Sequence, residues 1–270
     1  MDIGSKKFKY KKQVFTALSR SIKELIIFDL DGTLNVSKMQ PDKKMINLLC
    51  ELLSKTKIAV ISGASFTQFK NQFLENLNCT GDELSRLFIM PTSGSSLYRY
   101  EQNSWVRVYN EVLSAKDRKK IRYAFELAIS DANIILPKHI DGETIEDRGA
   151  QITYSALGQE APIGLKNKWD PDHKKRDKIV KALSFYIPEF EVRIGGTTSI
   201  DVTKKGIDKA YGIQKIEKSL NIRRDNMLFI GDAVFPGGND YSVKEAGVKT
   251  IQVSGPEETK EIIRELLKIK

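Results

Sequence analysis

Long apolar runs are missing from this chain. No stretch approaches the roughly 20 residues that cross a bilayer, so no membrane association is expected. The basic opening MDIGSKKFKYKK is followed by neither an apolar segment nor a small-residue cleavage site, which argues against a secretory signal. Cysteine is scarce. Cys50 and Cys79 show no CxxC or metal-like spacing, and thiols in a reducing cytoplasm are the simplest expectation. Internal repeats and low-complexity tracts are also lacking. Charge is abundant but not segregated. Lys and Arg number 44 against 35 Asp and Glu, a formal net charge of +9, yet the basic residues are mixed with acids along the chain. A nucleic-acid face would gather them with aromatics, so no nucleic acid is expected. A solvated surface with a mild pull on anionic substrates remains.

What is present suits a globular protein. The 270 residues are 40% hydrophobic and 29% charged, enough for one large domain or two modest ones. Residues 1–22 read as a basic extension with a short helix over 14–22. The apolar run Lys23 to Phe28 reads as a strand covered on both faces. Helices over 41–54 and 66–77 then alternate with strands at 58–61 and 87–90, a βα rhythm that implies right-handed crossovers and a parallel sheet. After Pro91 the pattern changes to strand-like alternation at 96–100, 105–109, 143–147, 150–155, 190–194 and 199–202. Helices over 115–130 and 171–186 lie among these, with Pro171 in the first turn of the second. The βα rhythm returns near Gly206. The expectation is an α/β protein: a Rossmann-like parallel-sheet core over 23–91 and 203–270, with an inserted α+β cap over 92–202.

The chemistry gathers at strand ends. In Phe28-Asp29-Leu30-Asp31-Gly32-Thr33, extended alternation puts Asp29 and Asp31 on one side. Two close carboxylates repel unless a cation joins them, and a hard ion such as Mg²⁺ takes carboxylate oxygens. Val60-Ile61-Ser62-Gly63 ends a second strand with a hydroxyl and a glycine, a pairing that suits phosphate oxygens but also an ordinary helix cap. Lys209 follows, and then Ile230-Gly231-Asp232 with the loop Pro236-Gly237-Gly238-Asn239-Asp240. Asp232 can complete a metal set begun by Asp29 and Asp31. In open α/β sheets, ligands bind at these carboxyl ends.

In this order the motifs resemble the haloacid dehalogenase superfamily over about residues 22–270. The resemblance implies that Asp29 is the nucleophile of an aspartyl-phosphate and Asp31 the acid and base. It also implies that Thr33, Ser62 and Gly63 bind the phosphoryl group, that Lys209 neutralises charge, and that Asp29, Asp31 and Asp232 hold Mg²⁺. Asn239 and Asp240 would support them. The place of the insertion is similar to the cap of the superfamily branch with sugar-phosphate phosphatases and eukaryotic-type phosphomannomutases. Within it, Ile194-Gly195-Gly196 to Ser199-Ile200-Asp201-Val202 and Asp147-Arg148-Gly149-Ala150 to Gly158-Gln159 resemble phosphomannomutase segments. By that likeness Arg148, Ser199 and Asp201 touch substrate, a small phosphorylated sugar. One departure matters: the second segment should end in an arginine for a distal phosphate, and here it ends in Gln159. A neutral amide gives no charged clamp, which tilts the expectation towards a phosphatase, with a mutase as the alternative and Lys166 or Lys168 as compensating cations. Oligomeric state, a homodimer included, is not written in the sequence.

Overall fold

The computed structural model describes residues 22–36, 39–135, 137 and 139–269; the short helix expected over 14–22 lies, Ile22 aside, outside them. The described strands are β1 (Leu25–Asp29), β2 (Lys57–Ile61), β3 (Leu87–Met90), β4 (Ser96–Glu101), β5 (Ser104–Asn110), β6 (Ile145–Asp147), β7 (Gln151–Ser155), β8 (Phe190–Ile194), β9 (Ser199–Lys204), β10 (Met227–Gly231) and β11 (Lys249–Gln252). The helices are α1 (Lys43–Lys55), α2 (Phe66–Gln72), α3 (Gly81–Leu84), α4 (Ala115–Asp131), α5 (Ile163–Trp169), α6 (Lys174–Tyr186), α7 (Lys209–Leu220), α8 (Tyr241–Glu245) and α9 (Pro256–Leu267).

One sheet has the order β11-β10-β1-β2-β3-β4-β5 and the other the order β6-β7-β9-β8. In the first, β11 to β3 are parallel and the β4–β5 hairpin closes the edge antiparallel. Strand β1 is central and buried throughout. Ile26 and Phe28 point to the side covered by α1, α2 and α9, and Leu25 and Ile27 to the side covered by α7 and α8. That two-sided cover is why the strand reads as a continuous apolar run. Helix α1 starts at Asp42, whose Oδ1 accepts the Met45 N–H at 2.9 Å, and buries Met45, Ile46, Leu49, Leu52 and Leu53 at helical spacing.

The second sheet is antiparallel and one-sided. Ile152, Tyr154, Ile200 and Val202 pack with Phe125 of α4 and Leu183 of α6 in a separate core. Alternation therefore turns Gln151, Thr153, Ser199 and Asp201 to the opposite face.

The structure departs from the sequence expectations in three places. The hairpin at 96–110, assigned to the cap by its change of pattern, belongs to the large sheet, because β4 pairs with β3. Helix α6 begins at Lys174 rather than Pro171. The Asp170 carboxylate accepts the N–H groups of Lys175 and Arg176 at 2.9 and 3.1 Å, which holds 170–173 as a turn. Cys50 and Cys79 are joined in a disulfide across 29 residues, since α1 runs beside the loop leading to α3. Such bonds are rare in reducing compartments, so the cysteines no longer argue for the cytoplasm. Among the described residues, no helix is long and apolar enough to cross a membrane.

Candidate active site

Register builds the centre of the site. Asp29 ends β1 opposite Ile61 of β2, which puts Ser62 at the neighbouring strand end. Phe28 pairs with Ile230 of β10, which brings Gly231-Asp232 to the other side. Lys209 is the first residue of α7, and the Asp208 side chain caps that helix by accepting the Tyr211 N–H at 2.9 Å. The Lys209 ammonium, 2% exposed, donates to Asp29 Oδ1 and Asp240 Oδ1, both at 2.5 Å. Asp240 is wholly buried, and its Oδ2 accepts the Ala233 N–H at 3.1 Å.

Helix α7 is held close to the sheet. A Cβ on Gly212 would meet Ile61 Cδ1 at 2.8 Å and Gly94 Cα at 3.1 Å. Farther along, the Tyr211 hydroxyl donates to Glu111 Oε1 at 2.5 Å and Lys215 Nζ lies 3.2 Å from the same oxygen. Glu111 starts the first crossover into the cap, so the lysine-bearing helix is tied to that crossover.

The charges do not balance. Ligand oxygens of Asp29, Asp232 and Asp240 lie within 4.8 Å of one another, with one lysine between two of them. Burial pushes the Asp29 carboxyl well above the ordinary carboxylate range. Lys209 opposes this, while Asp240 and Asp232 add to it. Asp232 is pushed up to about 6 by burial and by Asp240, with Lys209 opposing and Asp31 adding. For Lys209, burial works against the charge, but Asp240 and Asp29 outweigh it and raise its pKa. A buried, carboxylate-rich cluster of this kind fits a hard divalent cation bound through oxygen.

Two members of the expected metal set, Asp29 and Asp232, lie in this trio, and its third member is Asp240, whose oxygens also meet Lys209 and the Ala233 N–H. Beyond Asp29 the chain leaves the strand and closes a turn in which Gly32 N–H donates to Asn35 O at 2.9 Å. Asp31 therefore lies outside the tight trio, although its charge reaches Asp232. Gly32 itself has φ +83°, and a Cβ there would press on the Asp232 carboxylate at 2.5 Å. Thr33 follows, buried, with its Oγ1 unpartnered. Ser62 is buried, and its Oγ accepts the Ala64 N–H at 3.2 Å. Asn239 is exposed, so the loop acts here through Asp240.

The polar face of the cap sheet meets the strand end at Ser62-Gly63. Arg148 donates to Gly63 O at 2.6 Å and to Glu146 Oε2 at 2.7 Å. Gln151 reaches the same carbonyl at 3.4 Å. Asp201 accepts from the Thr153 hydroxyl at 2.8 Å; burial raises its pKa and Arg148 opposes the rise. Glu146, Thr153, Asp201 and Arg193 stand opposite one another across the four strands. Ser199 lies two residues before Asp201, beside Gly195, whose N–H donates to Ser199 O at 2.9 Å. Arg148, Asp201 and Gly63 thus lie near one another. Glu146, Gln151, Thr153 and Arg193 were not singled out from the sequence; the usable signal was a polar residue at every second position of strands with apolar partners between.

The chain matches the family of eukaryotic phosphomannomutases over residues 45–269. It is 28% identical to the phosphomannomutase of Encephalitozoon cuniculi over 259 residues, 93% of this chain and 96% of that protein. It is 29% identical to the phosphomannomutase of Saccharomyces cerevisiae over 252 residues, 91% and 94% of the two chains. Among solved structures, the IMP-bound, N-terminally truncated IMP-nucleotidase of Plasmodium falciparum shares the fold at TM-score 0.71 and 17% identity, covering 93% of this chain and 70% of that one. The C-terminal domain of Candida albicans trehalose-6-phosphate phosphatase does so at TM-score 0.65 and 17% identity, covering 96% and 97%. The haloacid dehalogenase fold and its phosphoryl-transfer chemistry hold for this protein, and the chain belongs to the eukaryotic phosphomannomutase family.

Proposed function

We propose that this enzyme is a Mg²⁺-dependent mutase that interconverts a hexose 6-phosphate and the hexose 1-phosphate through an aspartyl-phosphate on Asp29. The relatives favour this over the phosphatase suggested by Gln159. The observation that carries it is the match to phosphomannomutases over most of the chain, and the placement of Lys166 is compatible with it. The Lys166 ammonium donates to the Gln159 main-chain oxygen at 2.8 Å, and the side chain is 2% exposed. A cation therefore stands at the segment whose own side chain lacks one. It can hold the distal phosphate as a point charge, where an arginine would grip it with two donors.

The steps follow from the residues. A monophosphate meets phosphorylated Asp29, and its free hydroxyl gives a proton to Asp31. The hydroxyl oxygen takes the phosphoryl group as the bond to Asp29 breaks. The bisphosphate turns, Asp29 attacks the other phosphorus, and Asp31 returns the proton to the departing sugar oxygen. Splitting the displacement this way lets each half be short and positioned. Lys209 holds Asp29 in place and offsets its charge. Thr33, Ser62 and Gly63 lie beside the phosphoryl position, and Arg148, Ser199 and Asp201 face the sugar from the cap. Mg²⁺, when held by Asp29, Asp232 and their neighbours, supplies positive charge to the phosphoryl oxygens. A cytoplasmic setting is natural for soluble sugar phosphates, and the Cys50–Cys79 disulfide is of a kind rare there.

The test supplies mannose 1-phosphate with a trace of hexose 1,6-bisphosphate and measures hexose 6-phosphate against free phosphate. Isomerisation with little free phosphate is expected. Lys166→Gln should reduce isomerisation at least tenfold while sparing hydrolysis of an aryl phosphate, which has no distal phosphate. Stoichiometric release of phosphate by the unmodified enzyme would overturn the mutase reading in favour of a phosphatase.

A further inference from the structure

Arg193 sits on β8, outside the motifs that the family likeness brought forward. It faces Asp201 in register, so it belongs to the cap face that looks onto the core. Its guanidinium does not bond Asp201. It reaches Asp208 Oδ2 at 3.2 Å and Glu191 Oε1 at 3.3 Å. Asp208 is not a cap residue. It lies at the end of the second crossover and is the N-cap of α7, with Lys209 next in sequence.

We infer that Arg193 is a positioning residue: it latches the cap, through Asp208, to the helix that carries Lys209, and so keeps the aspartyl-phosphate shielded from water between half-reactions. The inference rests on the mutase reading, because only a mutase must keep water away from that intermediate. Two features support a latch over an incidental surface pair. The bond joins a cap strand to the N-cap of the core helix that carries Lys209. It also falls on an oxygen next to the one that caps α7, so the closed state and the lysine's helix start share a carboxylate. The grip is partial and therefore releasable. Arg193 Nε is shielded from solvent with no partner, and the arginine is 38% exposed against 17% for Asp208. On the other flank, Arg148 makes the matching cap-to-core bond at Gly63.

The experiment compares the unmodified enzyme with Arg193→Gln, Arg193→Lys and Asp208→Asn. Asn serves as an N-cap about as well as Asp, so Asp208→Asn removes the charge and leaves the helix start intact. The readout is hexose 6-phosphate formed per free phosphate released. A merely structural defect lowers both products together and leaves this ratio alone. An ion pair at this exposure sets a change of about two- to fivefold. Arg193→Gln and Asp208→Asn should each lower the ratio by that factor, the double variant should fall no further, and Arg193→Lys should restore most of it. An unchanged ratio, or full additivity of the two changes, overturns the latch. A second readout needs no isomerisation. Trypsin cuts after lysine, and Lys205 lies in the second crossover, just past Lys204 at the end of β9. Cleavage there should quicken about two- to fivefold in both single variants. If the unmodified enzyme only hydrolyses its substrate, the mutase reading fails, while faster cleavage in the variants still upholds the Arg193–Asp208 bond. Unchanged cleavage overturns that bond as well.

Discussion

At the scale of the residue, the site is a problem of excess negative charge. Lys209 offsets part of the charge of Asp29 and Asp240 but leaves Asp232 raised to about 6. The sign of the resulting pH dependence follows. Without a cation, the folded protein holds on Asp232 a proton that the unfolded chain gives up near pH 4, so stability falls as pH rises from about 4 to about 6, and the raised Asp29 carboxyl acts in the same direction. A divalent ion replaces those protons. Mg²⁺ should therefore raise Tm more at about pH 7.5 than at about pH 5, where protons compete for the same oxygens. Thermal melts in Mg²⁺ and in EDTA at both pH values check this, and an equal shift at both would count against the carboxylate cluster as the binding site. Asp29 and Asp232 were legible in the sequence because each stands at the end of an apolar strand, whereas Lys209, flanked by Asp208 and Ala210, came forward only through the family resemblance. The membership of Asp240 in the tight trio was not legible, since it depends on how the loop after β10 folds back to accept the Ala233 N–H.

Among the elements, α7 carries the most consequence. It presents Lys209, shares its N-cap with Arg193 and holds Glu111 at the first crossover. Its seat depends on the approach of Gly212 to Gly94. In an ordinary helix interior, Gly to Ala gains about 1 kcal/mol. Here the added methyl meets Ile61 Cδ1 at 2.8 Å. Gly212→Ala should therefore lower Tm instead of raising it, and should reduce kcat at least tenfold as Lys209 moves away from Asp29. A raised Tm with unchanged kcat would show that the contact is not tight. The sequence outlined this helix and most others, because amphipathic spacing is local. It misplaced the 96–110 hairpin for the same reason: alternation tells that a strand has two unlike faces but not which sheet it joins. The start of α6 was misread because Pro171 suits a first helical turn, while the Asp170 carboxylate takes the N–H groups that open the helix at Lys174.

For the whole molecule, the Cys50–Cys79 bond ties α1 to the segment before α3 across 29 residues. Closing a loop of that length is worth about 3 to 4 kcal/mol on the chain-entropy account. Cys50→Ser should lower stability by about that much in oxidising buffer and leave it nearly unchanged in reducing buffer, with kcat the same in both. Denaturation with and without a thiol reductant checks it, and equal stability of the unmodified protein in the two buffers would mean that the bond does not form. The parallel core and inserted cap could be read from the return of the βα rhythm after Gly206. The facing of cap to core could not, because it is made by polar residues that look like any solvated strand surface. That facing has a thermal consequence. Arg148, Gln151 and Arg193 meet a carbonyl and a carboxylate, so these contacts themselves remove little apolar surface from water. Heat capacity changes on closing in proportion to such surface. These contacts add little to that change, and because Arg193 meets Asp208 as an ion pair, the balance between open and closed cap should shift with the salt around the protein.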